Sequence, residues 1–265
     1  MNIDTFIEIG KQHKVCEDYI ISGVKPVPFI ILSDGCSSSK NTGMGARILC
    51  YMAKQYIQYR KNELPHLDYR KMGNWVIHNA EMSARQLGLD ITSLDATLVV
   101  SFILNDIIKI YIYGDGCVVL HNNIETVIKT IDFSDNAPYY LSYLVDDYRA
   151  GLYRERRPHR IIRSEYSNGE IYCDKDPYDE PMKIQLNINN YESVLITSDG
   201  LQSFIVEDPK IQRPAKPYEI IDGFLSFKNT KGEFLKRRLK RHMSNLQNEG
   251  IGHYDDLSVG AYINI

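Results

Sequence analysis

Residues 97–131 read TLVVSFILNDIIKIYIYGDGCVVLHNNIETVIKTI, and the four β-rich runs in this stretch decide the fold. Thr97 to Leu104 and Ile107 to Tyr113 flank Asn105-Asp106, while Val118 to His121 and Ile124 to Ile131 flank Asn122-Asn123. Asn and Asp tolerate the left-handed backbone of tight two-residue turns, so the stretch reads as successive antiparallel hairpins. Ahead of it, short β-rich segments at Thr5 to Ile9, Tyr19 to Val24 and Phe29 to Leu32 precede two helical stretches, about residues 42–62 and 67–88. Met72, Val76, Ala80 and Leu87 fall near one face of the second, which predicts packing on a sheet. Beyond it, strands at Met182 to Ile188 and Ser193 to Thr197 are expected to meet at Asn189-Asn190. Helices follow at about 215–227 and 231–247. In the latter, Leu235, Leu239, Met243 and Leu246 form an apolar stripe with Lys236, Arg237, Arg238, Lys240 and Arg241 largely off it, the pattern of a solvated face. A final strand, Leu257 to Ile263, alternates Leu257, Val259, Ala261 and Ile263 on one face. Many antiparallel strands with helix pairs at intervals predict an α+β sandwich, two stacked antiparallel sheets covered by helices.

The 265 residues fit one domain of this kind, 1–265, and 43% hydrophobic with 25% charged residues excludes wholesale disorder. Lys plus Arg number 31 against 34 Asp plus Glu, a net charge of -3, which offers no global field for nucleic acid or an anionic membrane. No apolar run approaches the roughly 20 residues needed to span a bilayer. Met1 to Thr5 lacks the basic and apolar segments of a secretory signal. Five cysteines with no C-x-x-C pair indicate neither a disulfide framework nor a zinc ribbon. The expectation is a cytoplasmic protein.

Acidic residues interrupt the apolar strands at a few places. Phe29 to Ser33 runs into Asp34-Gly35, Ile110 to Gly114 into Asp115-Gly116, and Val194 to Ser198 into Asp199-Gly200. Asp255-Asp256 leads into the final strand, and Glu17-Asp18 precedes the second. One Asp-Gly after a strand is most often a turn, but an Asp at a buried strand end is costly unless it is hydrogen-bonded or faces a cation. If the ends converge, the carboxylates raise one another's pKa, and hard divalent cations such as Mg²⁺ or Mn²⁺, which favour oxygen ligands, remove that conflict. Gly after Asp permits a sharp turn and close approach of backbone to an ion. Cys16, Cys36 and Cys117 adjoin these segments; their role is packing, with peroxide sensitivity at Cys36 or Cys117 as a further expectation.

In this order the motifs resemble those of the metal-dependent, type-2C protein serine/threonine phosphatases, in their bacterial form. Cys16-Glu17-Asp18 is similar to that family's Asn-Glu-Asp segment, and Ser33-Asp34-Gly35 followed by Asn41-Thr42-Gly43 to its Ala-Asp-Gly and Asn-x-Gly segments. Ser93 to Thr97 stands where the family has a Gly-Thr-Thr stretch. Gly114-Asp115-Gly116 is similar to its Gly-Asp-Ser, Ser198-Asp199-Gly200-Leu201 to its Ser-Asp-Gly-Leu, and Asp255-Asp256-Leu257-Ser258-Val259 to its Asp-Asn-(Ile/Met)-(Thr/Ser)-Val. The resemblance covers residues 17–259. It implies a four-layer αββα sandwich and hydrolysis of phosphoserine or phosphothreonine in a protein substrate, with a cognate Ser/Thr kinase as a further partner. It also implies two Mg²⁺ or Mn²⁺ ions and a third, weaker one, activating a bridging water. Carried over, Asp34 would bridge the metals, the Gly35 carbonyl would bind one, and Asp199 and Asp255 the other; Glu17 or Asp18 would serve the first, and Asp115 a third.

This chain also departs from the pattern. Where the family places a phosphate-gripping Arg, it has His13 with Lys14 beside it, and a Lys binds phosphate only as a point charge. Cys36-Ser37-Ser38-Ser39 replaces the usual Gly-Gly or His-Gly, Asp95-Ala96-Thr97 replaces a small polar run, and Gly116 stands for Ser. These differences keep two other readings open: a catalytically weak or dead module that binds a phosphoprotein or kinase, and a phosphomonoesterase for small metabolites. Residues 147–181 read as a flap or insert. Within 149–163, Arg149, Arg154, Arg156, Arg157, Arg160 and Arg163 are candidates either for attracting acidic or phosphorylated peptide or for pairing with nearby Asp and Glu. Arg154, Arg156 and Arg157 are the expected substrate-facing members.

Overall fold

The computed structural model describes residues 1–207 and 212–264. Two antiparallel sheets lie face to face. The five-stranded sheet has the order β10-β5-β4-β3-β2, with β2 Tyr19–Gly23, β3 Phe29–Ser33, β4 Leu98–Leu104, β5 Ile107–Tyr113 and β10 Met182–Asn187. The seven-stranded sheet has the order β1-β15-β11-β6-β7-β8-β9. Its strands are β1 Asn2–Glu8, β6 Gly116–His121, β7 Thr126–Phe133, β8 His159–Tyr166, β9 Ile171–Pro177, β11 Ser193–Thr197 and β15 Leu257–Ile263. A small third sheet joins β12 Phe204–Glu207, β13 Gln212–Pro214 and β14 Ile251–His253.

Alternation along the strands builds the layers. Phe29 and Ile31 of β3, with Leu98, Val100 and Phe102 of β4, face the helices α1 Thr42–Tyr59 and α2 Tyr69–Gln86. Ile30, Leu32 and Val99 point the other way and meet Val118, Ile131, Val194, Ile196 and Tyr262 of the second sheet. The Tyr262 hydroxyl lies 2.8 Å from Ser101 Oγ, a polar contact in the middle of this apolar interface. Leu257, Val259, Ala261 and Ile263 of β15 face outward, as their spacing predicts, against Leu235, Leu239 and Leu246 of α6 Phe234–Asn248. The result is an α+β sandwich in four layers, helix–sheet–sheet–helix.

Two elements differ from the sequence expectation. The strands expected to meet at Asn189-Asn190 do not pair. Met182 to Asn187 hydrogen-bonds with Ile112 to Ile107 in the first sheet, while Ser193 to Thr197 lies between β6 and β15 in the second. The Asn189-Asn190 turn therefore carries the chain from one sheet to the other. The helix expected at about 215–227 is two short turns, α4 Pro217–Ile220 and α5 Asp222–Leu225. Residues 147–181, read as a flap or insert, form α3 Asp147–Glu155 and then the antiparallel pair β8 and β9 around Asn168-Gly169, which continues the seven-stranded sheet at its edge. No helix among the described residues is long and apolar enough to cross a membrane.

Candidate functional site

The chain enters or leaves a strand at each of the carboxylates read from the sequence, and those strand ends share one edge of the sandwich. Asp18 precedes β2, Asp34 follows β3, Asp115 lies where the chain passes from β5 to β6, Asp199 follows β11 and Asp255 precedes β15. Asp18 and Asp115 are buried, while Asp34 and Asp199 are half-buried. Asp34 is central, with its carboxyl within hydrogen-bond reach of both Asp18 and Asp199.

Backbone and hydroxyl contacts fix this arrangement. Thr97 clamps Asp34 from both sides: the Asp34 N–H donates to Thr97 Oγ1 at 3.1 Å, and its carbonyl accepts from the Thr97 N–H at 2.8 Å. The Ser198 hydroxyl donates to Asp18 Oδ2 at 2.9 Å and accepts from the Ser258 N–H at 3.0 Å. Thr42, the first residue of α1, donates its hydroxyl to Glu17 Oε1 at 2.8 Å. Gly200 lets the Asp199 turn press on the last turn before β15, since a Cβ there would sit 2.0 Å from the Asp256 carbonyl oxygen. Gly35 is required in the same way: a Cβ would meet Thr42 at 2.9 Å. Packing against α1 thus accounts for a glycine that the sequence reading tied to a sharp turn and an ion.

Crowding shapes the electrostatics. Burial, then the charges of Asp18 and Asp199, push Asp34 well above the usual carboxylate range. Burial raises Asp18 to about 7 against the lowering effect of its Ser258, Ser198 and Asp34 hydrogen bonds. Asp115 is driven up by burial and by the charge of Asp199. Asp199 is raised by burial and by Asp255, partly offset by its bond to Asp34. Like charges this close resist ionising together and favour either a shared proton or a cation.

Whether a divalent ion suits these residues can be judged from their atoms. Among the described residues, no three His, Cys, Asp or Glu side chains already stand together as the ligands of one ion. The carboxylates are electrostatic neighbours and do not form a preformed cage. Asp18 Oδ1 and Asp199 Oδ1, however, are buried without a hydrogen-bond partner, an expensive state for a carboxylate oxygen. The donors gathered here are oxygens, the type that Mg²⁺ and Mn²⁺ prefer. The residues fit such an ion.

The remaining candidates take different positions. Asp255 is on the rim, its side chain 42% exposed, and accepts from the Asp256 N–H at 2.8 Å. His13 stands between Asp255 Oδ1 at 3.2 Å and Asp256 Oδ2 at 3.0 Å, both as ion contacts. Burial lowers its pKa, but contact with Asp256 and the charges of Asp255 and Glu17 outweigh that and raise it. Lys14 is exposed. In the basic segment, Arg149 pairs with buried Asp95 at 2.6 Å, and Arg160 is buried against Asp176 at 3.2 Å and the Glu180 carbonyl at 2.8 Å. Arg154, Arg156 and Arg157 are exposed. Cys117 is buried, and burial raises its thiol pKa strongly, which removes it as a peroxide target.

Two acids were not singled out from the sequence as separate contributors. Asp256, buried, accepts from the Gly10 N–H at 2.9 Å and the Glu17 N–H at 2.6 Å, tying the 10–18 loop to the start of β15. Asp132 on β7 adds negative potential at Asp115 and Asp199 and accepts from Gln202 Nε2 at 3.2 Å. Its signal in the sequence is an acid between the apolar Ile131 and Phe133 of that strand.

Comparison with known proteins agrees with this architecture. A family model for protein phosphatase 2C matches residues 10–246. The fold is similar to that of a bacterial serine phosphatase (TM-score 0.60, 15% identity, 98% of this chain and 96% of that one). It is also similar to the serine/threonine phosphatase Stp1 from Staphylococcus aureus (TM-score 0.55, 15% identity, 100% and 96%). The Mycobacterium tuberculosis serine/threonine phosphatase PstP/Ppp aligns with a TM-score of 0.52 at 13% identity, over 99% and 98%. No curated protein matches the sequence. With the family model covering nearly the whole chain on a sandwich of the same fold, this protein belongs to the protein phosphatase 2C family.

Proposed function

We propose that the protein is a cytoplasmic phosphatase that hydrolyses phosphoserine and phosphothreonine in protein substrates, using two Mg²⁺ or Mn²⁺ ions and a third held more weakly. The observation that carries this reading is the meeting of Asp18, Asp34, Asp115 and Asp199, from four distant segments, with two buried carboxylate oxygens left without partners. Asp34 and the Gly35 carbonyl, with Asp199 and Asp255, are the proposed principal ligands; Glu17 or Asp18 supports the first ion and Asp115 the third. When bound, such ions supply a water acidic enough to ionise near neutral pH and offset charge on the phosphoryl group. The chain's own part is to hold that constellation. Asp34 is held beside Asp18 and Asp199, Ser198 keeps Asp18 oriented, and Thr97 fixes the backbone of Asp34. Exposed Arg154, Arg156 and Arg157 supply positive potential for a phosphorylated or acidic peptide, including one on a cognate kinase.

A second reading, a module that binds a phosphoprotein without turning it over, is favoured by His13. The side chain at the position of the family's phosphate-gripping Arg is engaged with Asp255 and Asp256. The two readings separate in one assay of phosphate release from a phosphothreonine peptide with Mn²⁺. The enzyme reading predicts turnover that falls at least 100-fold in Asp34→Asn and Asp199→Asn. Tight peptide binding with no release at saturating Mn²⁺ supports the module.

A further inference from the structure

The 236–241 run reads as a solvated helix face, and Arg237, Lys240 and Arg241 are indeed exposed, but part of that face also borders a groove. Helical spacing puts Arg237, Arg238 and Arg241 on one stripe of α6, and the 226–231 loop lies alongside and adds Lys228 and Lys231. Together with Phe227 and Phe234 these five cations line a concavity of about 550 Å³ with no acidic residue in its lining among the described residues. Glu233, the nearest acid on the helix, is paired with Lys236, and none of the five takes part in an ion pair among the described residues. Like charges three and four residues apart on a helix repel, so this stripe costs stability unless an anion offsets it.

Two of the guanidinium groups are held in place. Arg237 Nη2 donates to the Lys231 carbonyl at 2.7 Å and Arg238 Nε to the Gly223 carbonyl at 2.7 Å. Carbonyl acceptors orient the forks without neutralising them, leaving their other N–H groups for a ligand. The groove is also remote from the carboxylates. Asn2 at the start of β1 bonds to Thr230 beside the groove, whereas the far end of that strand leads to Gly10, which bonds to Asp256. The intervening strand separates the two places by about 20 Å.

We infer that this groove is a binding site for a compact, soluble polyphosphate, an anion presenting three or more closely spaced phosphate groups. Five cations around one concavity match clustered charge, where a single phosphate needs one or two. An open concave site can receive a small ligand among its cations, whereas a lipid surface would require a flat or protruding face with apolar groups to insert. Overall charge is -3, so attraction to the groove comes from this local patch and falls with added salt.

The test is calorimetric titration of the full chain with sodium tripolyphosphate in chelating-resin-treated buffer free of divalent ions, where neither phosphatase activity nor its metals enter. The expected result is one saturable site, at least tenfold tighter than for orthophosphate. It should weaken tenfold or more in Arg237→Gln/Arg241→Gln and stay within twofold in Lys236→Gln/Lys240→Gln, which removes the same charge outside the groove. Circular dichroism of both variants checks folding, and Lys228→Gln/Lys231→Gln, in the loop, repeats the test should the helix variant unfold. Equal weakening in the two helix double variants, no saturable binding, or tighter binding to anionic phospholipid vesicles than to tripolyphosphate would overturn the inference.

Discussion

The Ser198 hydroxyl donates to Asp18 Oδ2 across 2.9 Å, joining segments 180 residues apart in the chain. Ser198 also receives the Ser258 N–H, so one small side chain ties the ends of β11 and β15 to the start of β2. Ser198→Ala removes a hydrogen bond to a buried carboxylate, and its expected cost is about 1 to 3 kcal/mol of stability. Activity should fall about tenfold through misplacement of Asp18. Urea unfolding and phosphate-release kinetics measure the two; a variant with unchanged stability and rate contradicts the positioning role.

Crowded carboxylates make stability depend on pH in a defined direction. Folding raises the pKa of Asp18 to about 7 and pushes Asp34 and Asp115 well above the usual range. A carboxyl whose folded pKa is raised contributes stability below its unfolded pKa and loses that contribution as pH rises through the folded pKa. Without divalent ions the melting temperature should therefore decline between about pH 4 and pH 8 on account of these groups. Mn²⁺ competes with protons for these carboxylates, so its stabilising shift should be larger at pH 8 than at pH 5.5. Differential scanning calorimetry with and without Mn²⁺ reads both; a shift equal at the two pH values, or absent, contradicts the carboxylate assignment.

The arginines of 149–163 divide into two groups with different consequences. Arg149→Ala strands buried Asp95, and the expected loss is about 2 to 3 kcal/mol, less than for a fully buried pair because the Arg149 side chain keeps 22% exposure. The exposed trio has no such partner among the described residues. Arg154→Ala/Arg156→Ala/Arg157→Ala should leave the unfolding midpoint unchanged and raise KM for an acidic phosphopeptide about threefold to tenfold, with kcat on p-nitrophenyl phosphate unaltered. Steady-state kinetics on both substrates distinguishes a substrate contact from general damage.

How far the sequence could be read depended on the range of the interaction. Asp34, Asp115 and Asp199 were legible because each ends an apolar strand with a Gly beside it, a pattern confined to a few residues. The outward face of β15 was legible because period-two alternation is a local property. Asn189-Asn190 correctly marks a turn, but which sheet each flanking strand joins is set by pairing with Ile107 to Ile112 on one side and with β6 and β15 on the other. Likewise nothing near Asp95 announces Arg149, 54 residues away, nor does the Asp255-Asp256 pair reveal that the second acid is buried to anchor the 10–18 loop while the first stays at the rim. The basic stripe on α6 was visible, but not the loop lysines that make a groove of it.

The central claim is that carboxylates from separate strand ends enclose divalent metal. Crystals soaked in Mn²⁺ and measured on both sides of the manganese absorption edge test it most directly. The account predicts at least two anomalous peaks within ligand distance of Asp34, with Asp199 and Asp255 on one of them. Peaks confined to other parts of the surface, or none at millimolar Mn²⁺, would contradict it.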